Sequence, residues 1–426
     1  MITIGLDFGT HQTKICIEEK VGVELSYTFM KFQDTYHRPF YTLPSVIGVG
    51  KDNLLSYGYL PHKYDGRIVR YFKQSTFRPS STGMSQENAM YFSTWYLAYI
   101  LFDLQEIYGE NFTIQMGAPT DSCHVNEAKE IATRIIASSY RLVEDVFEND
   151  KKRFLSTTIT ELKEKTELVA YSNEVKEMCA LLVFPEAYAC LRPLISEGKL
   201  ATGMSLMIDI GGGTTDISFF TIEKNEGKSV PQVYDFYSVN KGLNYLTCVD
   251  KYPENGTDAN VKVPFNIDSE CETVYINEIN QICDSLRNKL LEEFNKQTEF
   301  NPSRLLNALE NRPLVYCGGG SIEKKLRLSY GDFKEIKQIS HETWNLKSMN
   351  DIIVSEIRED ELWPILSTAY GLAISTEHDN ITMKPLRDIF ENIKKTEKEH
   401  STSSYDSSHS NENDEFDYTS DFNAWK

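Results

Sequence analysis

The stretch that decides the fold is MIDIGGGTTDISFF, residues 207–220, in which three consecutive glycines separate two apolar segments. The apolar residues before the glycines and the alternating ones after them predict two strands joined by a tight turn. Glycine lets backbone N–H groups approach a ligand closely, and such a turn suits phosphate oxygens. The adjacent Asp209 would repel a bare phosphate, but a carboxylate is useful when a hydrated Mg²⁺ lies between them. The stretch therefore favours a site for a metal-bound nucleotide.

The N-terminal stretch IGLDFGTHQTKICIEE, residues 4–19, repeats this pattern about two hundred residues earlier. Both copies read D-apolar-G-x-x-x-T-x-I-x-apolar, and their alignment pairs Asp7 with Asp209, Gly9 with Gly211, Thr13 with Thr215 and Ile15 with Ile217. One such turn alone is common in β-hairpins and does not by itself indicate a binding site. Two matched copies favour phosphate binding, with two facing hairpins holding the phosphates from both sides. The sequence contains neither a Walker-type G-x-x-x-x-G-K-[ST] motif nor a G-x-G-x-x-G that opens a helix.

Composition narrows the classes of partner. The 426 residues are 40% hydrophobic and 12% aromatic, which is enough for two or three folded domains. A formal charge of −19 argues against nonspecific binding to nucleic acid or to an anionic membrane surface. No run approaches the length of a spanning helix, and the N-terminus begins with a predicted strand rather than a leader, so we expect a cytoplasmic protein.

The eight cysteines form no C-x-x-C pair and lie among apolar residues. This distribution indicates reduced, mostly buried thiols rather than a disulfide framework or a zinc site.

A third glycine-rich element is PLVYCGGGSIEKKLRLSY, residues 313–330, in which an apolar strand precedes Gly318, Gly319, Gly320 and Ser321. With the two hairpins, this element resembles the ATPase superfamily of actin, DnaK-type heat-shock chaperones and sugar kinases. The resemblance covers residues 2–375 and implies an α/β fold. That fold is a duplicated ribonuclease-H-like (actin-like ATPase) fold, in which two lobes enclose a nucleotide cleft. It also implies ATP and Mg²⁺ as cofactors, with the third element at the adenosine.

Finer features resemble the chaperone branch. LPSVIGVG, residues 43–50, resembles a strand of that branch, and GRIVRYFKQSTF, residues 66–77, resembles its segment with a lysine near the γ-phosphate. By that match Lys73 offsets charge during phosphoryl transfer, although a solvated lysine is the plain alternative. DIGGGTTD similarly implies Thr214 near the γ-phosphate, and Asp7 and Asp209 on the magnesium water shell. The other residues that the resemblance assigns to the nucleotide are Gly9, Thr10, His11, Gly211, Gly212, Gly213, Thr215, Gly318, Gly319, Gly320 and Ser321.

The connecting segment VFPEAYAC, residues 183–190, departs from the chaperone pattern N-E-P-T-A-A. Phe184 stands where the acid before proline belongs, and plasmid-segregation actins share an FPE connection of this kind. Glu186 either positions the attacking water or is a helix-start carboxylate that interacts with the helix dipole.

The predicted domains are lobe I over residues 1–197, with a helical insertion at about 120–180, and lobe II over residues 198–375. A C-terminal helix is expected over 376–398, followed by a disordered acidic tail over 399–426. A helix over 276–294 precedes the third glycine element, and its Arg287 and Lys289 are candidates for contact with the base, with a solvated face as the alternative. The chain after residue 375 is too short for the peptide-binding domain of a chaperone.

Three functions follow from the resemblance. The first is a chaperone-like conformational switch that binds ATP and hydrolyses it slowly, because no arginine finger is evident. The second is a polymer-forming actin-like protein of plasmid segregation or cell shape, and the third is a small-molecule kinase. The first two imply a protein partner or self-association.

Overall fold

The computed structural model describes residues 1–61, 63–78, 83–119, 125–169, 181–196, 200, 203–225, 228–248, 265–296, 314–327, 338–340, 352–354, 363–376 and 388. The predicted C-terminal helix and acidic tail lie almost wholly outside these residues. The strands are β1 (Ile2–Asp7), β2 (Gln12–Val21), β3 (Glu24–Phe29), β4 (Phe32–Gln33), β5 (Pro39–Phe40), β6 (Leu43–Pro44), β7 (Ile47–Gly50), β8 (Leu55–Tyr57), β9 (Gly66–Val69), β10 (Thr113–Ala118), β11 (Leu181–Pro185), β12 (Gly203–Ile210), β13 (Thr215–Asn225), β14 (Lys228–Val239), β15 (Leu314–Cys317), β16 (Gln338–Ser340) and β17 (Ile352–Val354).

The α-helices of the described residues are numbered in the same way, in chain order. They are α1 (Phe72–Phe77), α2 (Gln86–Tyr108), α3 (Val125–Arg141), α4 (Lys151–Leu155), α5 (Ile159–Leu168), α6 (Glu186–Ser196), α7 (Leu243–Leu246), α8 (Ser269–Asn295) and α9 (Trp363–Ala373). A π-helical turn, Leu142–Val146, extends α3, and the 3₁₀ turns Gly319–Ile322 and Lys324–Leu326 follow β15. The family resemblance also implies a helix directly after Gly318, Gly319 and Gly320, whereas the described residues there form only these two short turns.

Two sheets share one topology. The first sheet has the order β11-β10-β1-β2-β3-β17, with β1 to β3 antiparallel and β10 and β11 added in parallel beside β1. The second sheet has the order β14-β13-β12-β15-β16, with β12 to β14 antiparallel and β15 and β16 parallel beside β12. Each is a ribonuclease-H-like arrangement. The chain therefore has the duplicated, actin-like ATPase fold that its sequence predicts.

The helices α6 and α9 cross between the two sheets. Although α6 follows a strand of the first sheet, its Cys190 and Leu194 pack with Phe220 and Val315 of the second sheet. Conversely, α9 comes after β15 and β16 of the second sheet and β17 of the first, and it packs on the first sheet in one cluster with β2 and β3. The predicted boundary at 197/198 separates most strands of the two sheets in sequence, but β17 of the first sheet lies beyond it and α6 and α9 pack across it. The domain limits therefore stay predictions.

Several local predictions match the structure. Within the helical insertion predicted at about 120–180, the stretch ITELKEKTEL, residues 159–168, forms α5, and a capping box between Thr158 and Glu161 closes its first turn. The helix expected over 276–294 begins earlier, at Ser269, because Asp268 accepts the backbone N–H groups of Glu270 and Cys271. Helix α3 lies between β10 and β11 in the chain and packs against both, so it serves as the crossover of the first sheet.

Candidate nucleotide-binding site

The two glycine hairpins have the same backbone register. The first hairpin joins β1 to β2 with Asp7 opposite Lys14, and the second joins β12 to β13 with Asp209 opposite Asp216. The alignment read from the sequence is therefore also an alignment of structure. The two hairpins differ in charge at one position, because Lys14 of the first corresponds to Asp216 of the second.

The two hairpins contact each other directly. A Cβ atom on Gly212 would lie 2.4 Å from Cδ2 of His11, and one on Gly213 would lie 3.0 Å from Cγ2 of Thr10. Asn244 lies in the short helix α7, which comes after β14 of the second sheet. Its side-chain amide lies 2.7 Å from Nε2 of His11. Glycine is therefore required here so that the first hairpin can pack on the second.

A cavity opens where the hairpins meet. Asp7, Lys73, Glu186, Asp209 and Thr214 all line it, which brings together the side chains predicted to act on the phosphates. The predicted nucleotide-binding residues that also line it are Gly9, Thr10, His11, Gly211, Gly212, Gly213, Gly318 and Gly319. Residues far apart in sequence thus share one cleft between the two sheets.

Three other predicted residues are not part of the cavity lining. The hydroxyl of Thr215 donates to the carbonyl of Lys241 at 2.8 Å, and Ser321 donates to the carbonyl of Gly318 at 2.8 Å. A Cβ on Gly320 would collide with Ile210 at 2.3 Å. All three are buried and support the turns that form the cleft wall, and their direct contact with a nucleotide stays a prediction.

Lys73 and Glu186 form an ion pair inside the cleft. The Nζ atom of Lys73 lies 2.6 Å from Oε1 of Glu186, and the lysine side chain is only 6% exposed. Glu186 is also the first residue of α6, so its position at the helix start and its position in the cleft are compatible. Phe184, which replaces the acid of the chaperone motif, is buried and stacks on Tyr188.

Two half-buried carboxyl groups lie side by side on the second hairpin. Burial, and next the charge of Asp216, raises the pKa of Asp209 from 3.8 to about 7. Burial likewise raises the pKa of Asp216 to about 6, against the effect of a hydrogen bond with Ser238 and the charge of Arg78. Both residues therefore lie in a site where negative charge is destabilised.

Sequence reasoning missed Lys14, Asp216 and Arg78. Lys14 Nζ lies 2.7 Å from Oδ2 of Asp7 and lines the cavity. Arg78 donates to the Ser238 hydroxyl at 2.6 Å from across the cleft, near Asp216. Lys14 and Asp216 were detectable because they occupy the same position of the repeated motif with opposite charge, whereas Arg78 carries no local signal.

The third glycine element forms the apolar side of the cavity. Gly318 has φ +76°, and a Cβ there would lie 2.2 Å from Oδ1 of Asp209. The apolar lining residues near Gly319 were not predicted, and they are Leu243, Phe265, Pro364 and Ile365. Lys289, a candidate for contact with the base, instead pairs with Asp235 at 3.4 Å. Neither Lys289 nor Arg287 is among the lining residues that the structure describes.

The residues of the cleft are suited to Mg²⁺. Hard oxygen ligands are what this ion prefers, and the carboxyl groups of Asp7, Glu186, Asp209 and Asp216 outnumber the lysines that line the cavity. The Oδ1 atom of Asp216 is buried and has no hydrogen-bond partner among the described residues. A cation or its bound water would stabilise this oxygen and the ionised form of Asp209.

No protein-family model matches the chain, and no curated protein matches it in sequence. Solved structures with a similar arrangement include a MamK double helical filament, with 15% identity over 87% of this chain and 97% of that chain and a TM-score of 0.43. They also include MreB 5 of Spiroplasma citri bound to AMPPNP, with 16% identity over 94% and 98% and a TM-score of 0.42. A third is an archaeal actin homolog in complex with ADP, with 14% identity over 88% and 98% and a TM-score of 0.37.

At these identities and TM-scores the three structures carry no argument about the function of this chain. Within the part of the chain that the structure describes, no helix has the length and apolar character needed to cross a membrane.

Proposed function

We propose that the cleft binds Mg-ATP and hydrolyses it slowly, so that the bound nucleotide sets the relative position of the two sheets. The observation that carries this proposal is the direct contact of the two glycine hairpins, with His11 packed over Gly212 and acidic side chains converging beside them. Backbone N–H groups at both turns provide donors for phosphate oxygens. A bound Mg²⁺ would supply positive charge at the phosphates.

Each polar group of the cleft has a role in this proposal. Asp7 and Asp209 hold the water shell of the metal, while Lys73 and Thr214 stabilise the phosphoryl oxygens. Asp209 or Glu186 orients the attacking water. Burial raises the pKa of Asp209 to about 7 in the metal-free cleft, and a bound Mg²⁺ would lower that pKa again by favouring the charged carboxylate. Glu186 is already held by its ion pair with Lys73.

The direct test is the affinity for ATP with and without magnesium, measured by calorimetry on the parent protein, Asp7→Asn and Asp209→Asn. We expect magnesium to strengthen binding in the parent protein, and each substitution to remove most of that gain. Asp145→Asn is the matched control, because Asp145 pairs with Arg141 on the exposed surface. Equal affinity with and without magnesium in the parent protein would contradict the proposal.

The two candidate acids are separable by kinetics. If Glu186 orients the water, Glu186→Gln retains Mg-ATP binding and loses hydrolysis, whereas Asp209→Asn loses both. Phosphate release in single-turnover conditions distinguishes these outcomes. If Glu186→Gln hydrolyses ATP at the parent rate, the water is oriented by Asp209.

We propose that the nucleotide-dependent change in the cleft controls self-assembly of an actin-like protein rather than a chaperone-like activity. Phe184 and Glu186 support this choice, because the F-P-E connection resembles plasmid-segregation actins and lacks the chaperone's acid before proline. The buried stack of Phe184 on Tyr188 leaves that position without a carboxylate. Filaments require complementary ends on one subunit.

Sedimentation with Mg-ATP tests self-assembly. We expect pelleted protein to appear only above a threshold concentration and to disappear in Asp209→Asn. A protein that stays monomeric or dimeric at every concentration would favour the chaperone-like switch instead.

A further inference from the structure

Two cysteines outside the predicted site lie next to each other. Cys248 lies just after Thr247, which caps the C-terminal end of the short helix α7, and Cys271 lies in the first turn of α8. Their Sγ atoms are 3.1 Å apart. Asp268 lies beside them but already accepts two backbone N–H groups at the start of α8. The two thiols are therefore close enough to form a disulfide after a small side-chain rotation.

The segment that ends at Cys248 forms part of the cleft wall. The backbone N–H of Leu243 donates to the carbonyl of Gly211 at 3.0 Å, and that of Asn244 donates to Gly212 at 2.9 Å. Leu243 itself lines the cavity. At the other end, the N–H of Asp268 donates to the carbonyl of Leu246 at 2.9 Å. The cysteine pair thus lies where the segment that holds the second hairpin meets the start of α8.

Within the pair, Cys271 is the accessible thiol. Cys271 is partly exposed, whereas its neighbour and the other described cysteines are buried, namely Cys248, Cys16, Cys190, Cys283 and Cys317. A small oxidant in solution reaches a partly exposed thiol first.

We propose that Cys248 and Cys271 form a reversible disulfide under peroxide, which fixes the support of the second hairpin and slows nucleotide release. Hydrogen peroxide oxidises the Cys271 thiol to a sulfenic acid and releases one water. The Cys248 sulfur then attacks that sulfur, the S–S bond forms and a second water leaves. The two sulfurs together lose two electrons, and the peroxide is reduced to two waters.

Burial, and next the neighbouring Cys248, raises the pKa of Cys271 to about 12. The thiolate is therefore scarce at neutral pH, and oxidation requires a sustained excess of peroxide. Once formed, the bond links two elements on either side of a long connection, so it restricts how far α7 can move from α8.

The effect on release rests on the proposed nucleotide binding, whereas formation of the disulfide does not. The full-length protein is reduced, treated with hydrogen peroxide and digested with trypsin. Because Lys251 and Lys262 lie between the cysteines, the disulfide appears in mass spectra as two peptides joined until reduction. Release is followed in parallel with a fluorescent ADP analogue.

We expect the joined peptides and at least a threefold slower release in the oxidised parent protein, both reversed by dithiothreitol. Cys248→Ser and Cys271→Ser should each abolish both effects. Cys283→Ser is the matched control within α8 and should retain them. Absence of the joined peptides, or joined peptides with unchanged release, would overturn the proposal. If the analogue does not bind at all, the proposed function fails, and a higher melting temperature of the oxidised protein still tests the disulfide.

Discussion

Asp209 and Asp216 determine how the cleft responds to pH. They lie opposite each other on neighbouring strands of the second hairpin, and both are half-buried. Their pKa values are raised, so the folded protein keeps protons that the unfolded chain releases. Two charged carboxylates in this site cost folding free energy unless a cation lies beside them.

We predict that the stability of the nucleotide-free protein falls as pH rises. The contribution of these two carboxyl groups to folding stability is fully present below their ordinary pKa of 3.8. It is lost as pH rises past their folded pKa values, about 6 for Asp216 and about 7 for Asp209. Asp209→Asn should therefore stabilise the protein by about 1 to 3 kcal/mol at pH 8 without magnesium. Urea unfolding at several pH values measures this. The control Asp145→Asn, at an exposed carboxylate, should change little, and a loss of stability in Asp209→Asn at pH 8 would contradict the argument.

Gly318→Ala should abolish nucleotide binding. The residue has φ +76°, and the added Cβ would lie 2.2 Å from Oδ1 of Asp209, which displaces a carboxyl group proposed for the metal site. Gly83→Ala is the matched control, since Gly83 has the same φ and nothing within 4 Å. Both variants carry backbone strain of about 1 kcal/mol, and only Gly318→Ala should lose Mg-ATP affinity in calorimetry. Equal affinities in the two variants would refute the role of the contact.

The crossing of α6 and α9 depends on small residues. A Cβ on Gly371 of α9 would lie 1.9 Å from the carbonyl oxygen of Ala189 of α6. Arg192 of α6 donates to the carbonyls of Gly371 and Ile374 at 2.9 and 2.8 Å, which satisfies the C-terminal end of α9. These contacts hold two helices that each pack on the sheet of the other half of the chain.

Gly371→Ala should destabilise the protein although alanine favours helix. Alanine would add about 1 kcal/mol from helix propensity alone, and the collision with Ala189 should exceed this, for a net loss of about 1 to 3 kcal/mol. Thermal or urea unfolding measures the difference. If Gly371→Ala proved more stable than the parent protein, the two helices would be able to move apart without loss of folding free energy.

Polar contacts between the two sheets hold the cleft in its observed form. Besides Asn244 and His11, Gln74 donates to Asn240 at 3.0 Å and Arg78 donates to Ser238 at 2.6 Å. These pairs join residues of the α1 region to the end of β14. Because few such bonds span the cleft among the described residues, their loss should alter the cleft without unfolding either sheet.

Arg78→Ala combined with Gln74→Ala should open the nucleotide-free molecule. We expect a larger radius of gyration in small-angle scattering and faster nucleotide release, with a change in melting temperature of only a few degrees. Lys51→Ala serves as the control, because Lys51 pairs with Asp65 on the exposed surface of the first half. An unchanged radius and release rate would show that these bonds do not hold the cleft.

The sequence by itself determined the two hairpins and the fold they imply. Glycine, aspartate and threonine at fixed spacing, with alternating apolar residues, specify strand, turn and strand through local backbone preferences, and the repeat implies duplication. Asp7, Gly9, Asp209 and Gly211 were identifiable for this reason. Only the tertiary structure decided that His11 packs over Gly212, that Glu186 pairs with Lys73, and that α6 and α9 exchange sheets. These features depend on contacts between residues far apart in the chain, and no local pattern encodes the direction in which a helix crosses or the partner that a buried charge meets.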